Sequence, residues 1–229
     1  AGKVEDEELF VKACLDGKNE IGTSAADKGS EIHDRIEKAI KAGELNSSPD
    51  PFVKVAAYEL DKIIEGWATE GWYPVSIESE KSFVVNDEWL PCAFGGRTDV
   101  LIEFAKDWPT AETALFVADF KTRDFEVANV IKARKMLEDG CKTFDKLSPR
   151  DSEPLQIAAN LAGHADQGIP KSRLFDTARS GVVLGGANIY ISRLQSEAGF
   201  TYEWSPLQLE RAWGAFTACL TLFNYTRNG

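Results

Sequence analysis

The stretch from Cys92 to Arg123 decides the reading. It runs C-A-F-G-G-R-T-D-V-L-I-E-F (92–104), a polar connection containing Trp108-Pro109, then A-L-F-V-A-D-F-K-T-R (114–123). Both runs are rich in Val, Leu, Ile and Phe, and the turn chemistry between them predicts a β-hairpin. Each run carries an aspartate where a core strand favours an apolar residue, Asp99 in the first and Asp119 in the second. Lys121 follows Asp119 by two residues, so strand alternation puts both side chains on one face. Two acids and a lysine converging at the end of a buried hairpin are costly unless they bind something. A hard cation bridging to phosphate oxygens suits them.

Working outward, 229 residues at 43% hydrophobic content can bury one sizeable core. A single domain over 1–229 is expected, with a helical part over 1–70 and the sheet-bearing core with a C-terminal helix over 71–229. The net charge of −11 argues against a general nucleic-acid coat protein. That charge is uneven: residues 1–90 hold 10 Lys+Arg against 20 Asp+Glu, whereas residues 121–150 hold 8 against 5. A basic island therefore follows the acidic pair. The four cysteines form no CxxC pair and are expected to be free, buried thiols in a reducing cytosol. No run is long and apolar enough for a membrane, and the acidic start is unlike a signal peptide. A cytoplasmic, unsecreted protein is expected.

In chain order, Leu9, Phe10, Val11 and Leu15 predict a short amphipathic helix within 1–20. Ser24-Ala-Ala-Asp27 opens a second helix to about Gly43, with Ile32, Ile36 and Ile40 as its buried stripe and His33 beside it. Asp50-Pro51 starts a third helix to Thr69, ended by Gly71-Trp-Tyr-Pro74. Val75 to Val85 reads as a kinked strand carrying Glu78 and Glu80. After the hairpin come a helix from Val127 to about Glu138 and a compact helix, Leu155 to Ala162, with Gln156 and Asn160 on one face. Residues 169–185 read as mostly loop, Ala187 to Leu194 as a strand and Phe200 to Trp204 as its hairpin partner. Ser205-Pro-Leu-Gln208 caps a final helix with Leu209, Trp213, Phe216, Leu220 and Phe223 as its stripe. This order predicts an α/β fold, a mixed central sheet with helices on both faces.

The ordered pieces Gly29-Ser-Glu-Ile-His33, Glu80, Gly96-Arg-Thr-Asp99, Asp119-Phe-Lys-Thr122 and Pro154-Leu-Gln156 resemble the PD-(D/E)XK nucleases. The resemblance is to the RecB-like exonuclease branch, which includes phage recombination and mitochondrial genome-maintenance exonucleases, and it spans about residues 25 to 225. A lone DxK is frequent by chance; five motifs in this order are a far more specific signal. The family's glutamine helix has the pattern QxxxY, and Asn160 stands here in place of the tyrosine. The cluster-binding cysteines of some relatives have no counterpart, so no iron–sulfur cluster is expected.

The resemblance implies a restriction-endonuclease-like sheet and a Mg²⁺- or Mn²⁺-dependent deoxyribonuclease using one or two ions, acting at linear DNA ends, single- or double-stranded, in recombination, repair or end processing. Asp99 and Asp119 would be the central ligands, with the backbone carbonyl of Phe120, and His33 would ligate from the facing helix, its nitrogen favouring Mn²⁺. Lys121 would orient the attacking water or stabilise charge in the transition state. Glu80, preferred over Glu78 because it precedes a short apolar run, would be a ligand or position water. Gln156 would bond the DNA, and Thr122 or Arg123 would contact phosphate. A recombinase or single-strand-binding protein is a further expected partner, and a phage source would put the protein in host cytoplasm. Three alternatives stay open: a structure-specific or restriction-type endonuclease, a binding or assembly module without turnover, and a plain ion pair of Asp119 with Lys121 beside a core-edge His33.

Overall fold

Asp50 shows how local sequence sets an element. Its carboxylate accepts hydrogen bonds from the N–H groups of Phe52 and Val53 at 2.9 and 3.3 Å, and Pro51 fills the first turn of the helix Pro51–Thr69. The computed structural model describes residues 27–106, 112–141, 147–165, 175 and 182–228. The helix expected within 1–20 and the Trp108-Pro109 turn lie outside the described residues. The described helices are α1 (27–41), α2 (Pro51–Thr69), α3 (Val127–Glu138), α4 (Glu153–His164) and α5 (Pro206–Asn228). The strands are β1 (Trp72–Val85), β2 (Phe94–Lys106), β3 (Glu112–Arg123), β4 (Val183–Ser192) and β5 (Gly199–Trp204).

The strands lie side by side in chain order. Every neighbouring pair is antiparallel except β3 with β4, which run parallel. A parallel pair needs a long crossover, and here it carries α3 and α4. Alternation along β2 divides the core. Val100, Ile102 and Phe104 pack with Ile32 and Ile36 of α1 and Leu60 and Ile63 of α2. Leu101 joins Ile157 and Leu161 of α4 and Leu209 and Trp213 of α5. The protein is thus α/β, a mixed five-stranded sheet flanked by helices, and α1 and α2 belong to the same core as the sheet. No described helix is long and apolar enough to cross a membrane.

Two strand starts differ most from the sequence expectation. β1 begins at Trp72 and includes Pro74, which an edge strand tolerates, with a register shift between Pro74 and Ser76. β4 begins at Val183 rather than Ala187, because Gly185 and Gly186 pair with Phe116 and Val117. These glycines are dictated by crowding. A Cβ on Gly185 would lie 2.4 Å from the Trp67 ring, and one on Gly186 would lie 2.3 Å from Ile157 Cγ2. Gly186→Ala is therefore expected to lift α4 off the sheet and cost about 1–3 kcal/mol in urea unfolding. Combined with Ile157→Ala it should cost clearly less than the two single changes added together; strict additivity would refute the crowding.

Candidate active site

The register of the sheet gathers the polar residues. Lys81 pairs with Thr98 and Ser79 with Val100, which leaves Glu80 against Asp99. Val100 pairs with Ala118, so Asp119 comes next to Asp99, and Asp119 pairs directly with Asn188. One row across β1 to β4 thus reads Glu, Asp, Asp, Asn. Glu80 interrupts its ladder with φ +55°, the left-handed region that disfavours a non-glycine residue. Strain at an acid within the row is the mark of a residue held for its side chain's direction.

Asp119 is 2% exposed and fully partnered. Gln156 Nε2 donates to its Oδ1 at 2.8 Å and Asn188 Nδ2 to its Oδ2 at 3.0 Å. Lys121 Nζ stands 2.5 Å from Oδ2 and also donates to Gln156 Oε1 at 3.0 Å, so the lysine does share the face of Asp119. Asn188 is itself oriented by the Trp204 indole N–H, 2.8 Å from its Oδ1. On the neighbouring strand, Asp99 Oδ2 accepts the Phe120 N–H at 2.8 Å. His33 Nδ1 lies 3.7 Å from that oxygen, beyond hydrogen-bond reach, and its ring meets Phe120 edge-on.

Burial dominates the electrostatics. Desolvation pushes the Asp99 carboxyl up to about 6 from an ordinary 3.8, against the pull of the Phe120 N–H and Lys121. Asp119 is likewise raised to about 6, first by burial and then by the charge of Asp99, with Lys121 opposing. Burial lowers His33 and so favours the neutral imidazole that can ligate, against the opposing attraction of Asp119. Glu80 Oε2 is buried and makes no hydrogen bond among the described residues, although Arg97 pairs with it by charge. Three carboxylates and one imidazole are a donor set suited to a hard divalent cation. The site is not preassembled: no three His, Cys, Asp or Glu side chains stand together as a ligand group among the described residues. Lys121 would have to yield Asp119 Oδ2, and Arg97 would have to yield Glu80 Oε2, to a cation.

His33, Glu80, Asp99, Phe120, Lys121 and Thr122 line a single open cleft of about 570 Å³, with Asp119 buried beneath it. α1 reaches the cleft because Gly29 lies against β3, where a Cβ would stand 2.6 Å from Thr122 Oγ1. Glu78 is instead paired with Lys81 at 2.6 Å. Gln156, expected at the substrate, holds Asp119 and Lys121. Arg123, expected at phosphate, is 13% exposed and engaged with Glu153 at 2.5 Å and with the Ser148 carbonyl at 2.8 Å. Asn188 and Glu153 join the site's surroundings without any expectation from sequence; a polar residue inside the apolar run Ala187-Asn-Ile-Tyr-Ile191 is the available signal for the first.

No family model matches the chain, and no curated protein matches it. Among solved structures it is similar to one described as the crystal structure of SSO0001, at 15% identity, with 93% of this chain and 86% of the other covered and a TM-score of 0.31. A likeness that weak carries no functional argument.

Proposed function

We propose that the protein is a divalent-metal-dependent deoxyribonuclease of the PD-(D/E)XK kind, acting as an exonuclease on linear DNA ends in recombination, repair or end processing. One observation carries this reading: Glu80, Asp99 and Asp119 arrive from three adjacent strands beside Lys121. Glu80, Asp99, Asp119 and His33 would hold Mg²⁺ or Mn²⁺, with the Phe120 carbonyl as a further donor. The ion, when bound, neutralises charge developing on the phosphate and promotes deprotonation of water. Lys121, released from Asp119, donates to a phosphate oxygen or aligns the attacking water. Gln156 keeps Asp119 and Lys121 in register through this exchange. Arg97, 66% exposed on its side chain, is the cation at the rim that meets the backbone of the strand. DNA is the proposed partner, joined by a recombinase or single-strand-binding protein, and the cytoplasm, a host's if the source is a phage, the proposed location.

The test compares end-labelled linear DNA with closed circular DNA under Mg²⁺, Mn²⁺ or EDTA, for wild type and Lys121→Ala. Loss of the linear substrate alone, dependent on metal and reduced about 10³-fold by the substitution, is the expected result; that factor is roughly 4 kcal/mol of barrier. Cutting of the circle would move the reading to an endonuclease. A binding or assembly module is favoured by one observation, the Lys121–Asp119 contact itself, which neutralises the site internally. Metal-free binding with no cleavage of either substrate would select it.

A further inference from the structure

A second cleft, of about 730 Å³, opens between β2 and the helices α4 and α5. It adjoins the first, because Arg97 lines both and Gln156, which holds Asp119, lines the second. Its walls include the Phe83, Phe216 and Phe223 rings and the exposed backbone of Gly95-Gly96. Asn160 lies within it, 4% exposed, and its Nδ2 makes no hydrogen bond among the described residues. A buried amide donor left without an acceptor is destabilising, and here it stands among aromatic walls. In a chain of net charge −11, none of the residues lining this cleft is an aspartate or glutamate. An anionic chain can therefore approach it without meeting a carboxylate.

We infer that this cleft receives one unpaired base of the DNA strand whose phosphate lies at Arg97 and Lys121. The inference rests on the nuclease reading and names its substrate class, a single-stranded or frayed end. An aromatic wall stacks any planar heterocycle, and the Asn160 amide donates to a ring nitrogen or carbonyl on its edge. A base still paired in a duplex has that edge occupied by its partner. Gly96 makes room for the Phe83 wall: a Cβ there would stand 2.9 Å from the Phe83 ring and 3.6 Å from Asn160 Oδ1. Phe223 is 55% exposed, forming the outer wall.

The experiment measures binding of a short fluorescent oligothymidine to the full chain in EDTA, where cleavage is blocked. Four probes are compared: the intact strand, a strand with one abasic residue at the 5′ end, one with it at the 3′ end, and the corresponding blunt duplex. One abasic end is expected to bind about 10-fold more weakly than the intact strand, the size of one lost base stack, and the duplex to bind more weakly still. Phe223→Ala, at an exposed position, and Asn160→Leu should bring the intact strand down to the abasic affinity. Equal binding of intact and abasic strands, or variants that keep the full difference, would overturn the base site. The two readings fail separately. Metal-dependent cleavage by a protein indifferent to the abasic ends sinks the base site alone. Base-dependent binding without cleavage sinks the nuclease and keeps the site.

Discussion

Asp99→Asn is expected to yield a protein more stable than wild type at pH 8 in EDTA, and without the proposed nuclease activity. The folded carboxyl is raised to about 6 from an ordinary 3.8, chiefly by burial. Between those values the folded chain holds a proton that the unfolded chain has lost, so stability falls as pH rises through the window. The penalty is complete above about pH 6. Asparagine has no charge to desolvate, and its side-chain oxygen can still accept the Phe120 N–H. The rise from 3.8 to about 6 sets a ceiling of about 3 kcal/mol, and sharing of the charge with Asp119 brings the expected gain to about 1–2 kcal/mol. That raises the melting temperature by roughly 3–6 °C in a domain of this size. At pH 4 the wild-type carboxyl is largely protonated and the gap should close. Under the proposed nuclease reading, cleavage should fall on the order of 10³-fold, since Asp99 is a proposed central ligand. Thermal unfolding at pH 4 and pH 8 decides the matter: an equal gap at both, or a less stable variant at pH 8, would remove the buried-charge account. Added Mg²⁺ or Mn²⁺ should stabilise wild type and leave the variant unmoved.

What is legible in the sequence follows from the range of the interactions. Asp119 and Lys121 share a face because strand alternation is local, and Ile32 and Ile36 mark the inner stripe of α1 because helical periodicity is local too. His33 can be placed near Asp99 only through the ordered motifs, since nothing in its own helix distinguishes it from a core-edge residue. The rest depends on contacts between distant positions. Gly185-Gly186 reads as loop by composition, yet it is strand because Trp67, Phe116 and Ile157 exclude any side chain there. Gln156 reads from its motif as facing the substrate, and its bond across to Asp119 of β3 is a further contact that no motif foretells. Motif position favours Glu80 over Glu78; the positive φ of Glu80 and its place in the row follow from a broken ladder that no spacing rule foretells.

Glu153→Ala is expected to be the most damaging single change away from the cleft. Glu153 is 4% exposed and accepts from Arg123 Nη2 at 2.5 Å, from the Tyr190 hydroxyl at 2.5 Å and from the Arg150 N–H at 3.0 Å. The Arg123 guanidinium also lies over the Tyr190 ring, 4.4 Å from its centroid. Burial and the neighbouring Glu153 hold the Tyr190 hydroxyl well above its ordinary titration range, so it remains a donor at any working pH. Alanine would leave a half-buried guanidinium short of its charged acceptor and the buried Tyr190 hydroxyl without the Glu153 carboxylate, a loss of about 3–5 kcal/mol. The damage is also directed, because Glu153 starts α4 and Gln156 stands one turn further on. Loosening that turn frees Gln156 from Asp119 and Lys121, so the proposed cleavage by the folded fraction should itself be slower. Urea unfolding of Glu153→Ala, Arg123→Met and the double variant separates the terms. The double variant should be no less stable than Glu153→Ala alone, since it removes the stranded charge together with its partner. A Glu153→Ala protein within about 1 kcal/mol of wild type would show that water or another acceptor replaces the carboxylate, and that α4 is held to β3 by its apolar face alone.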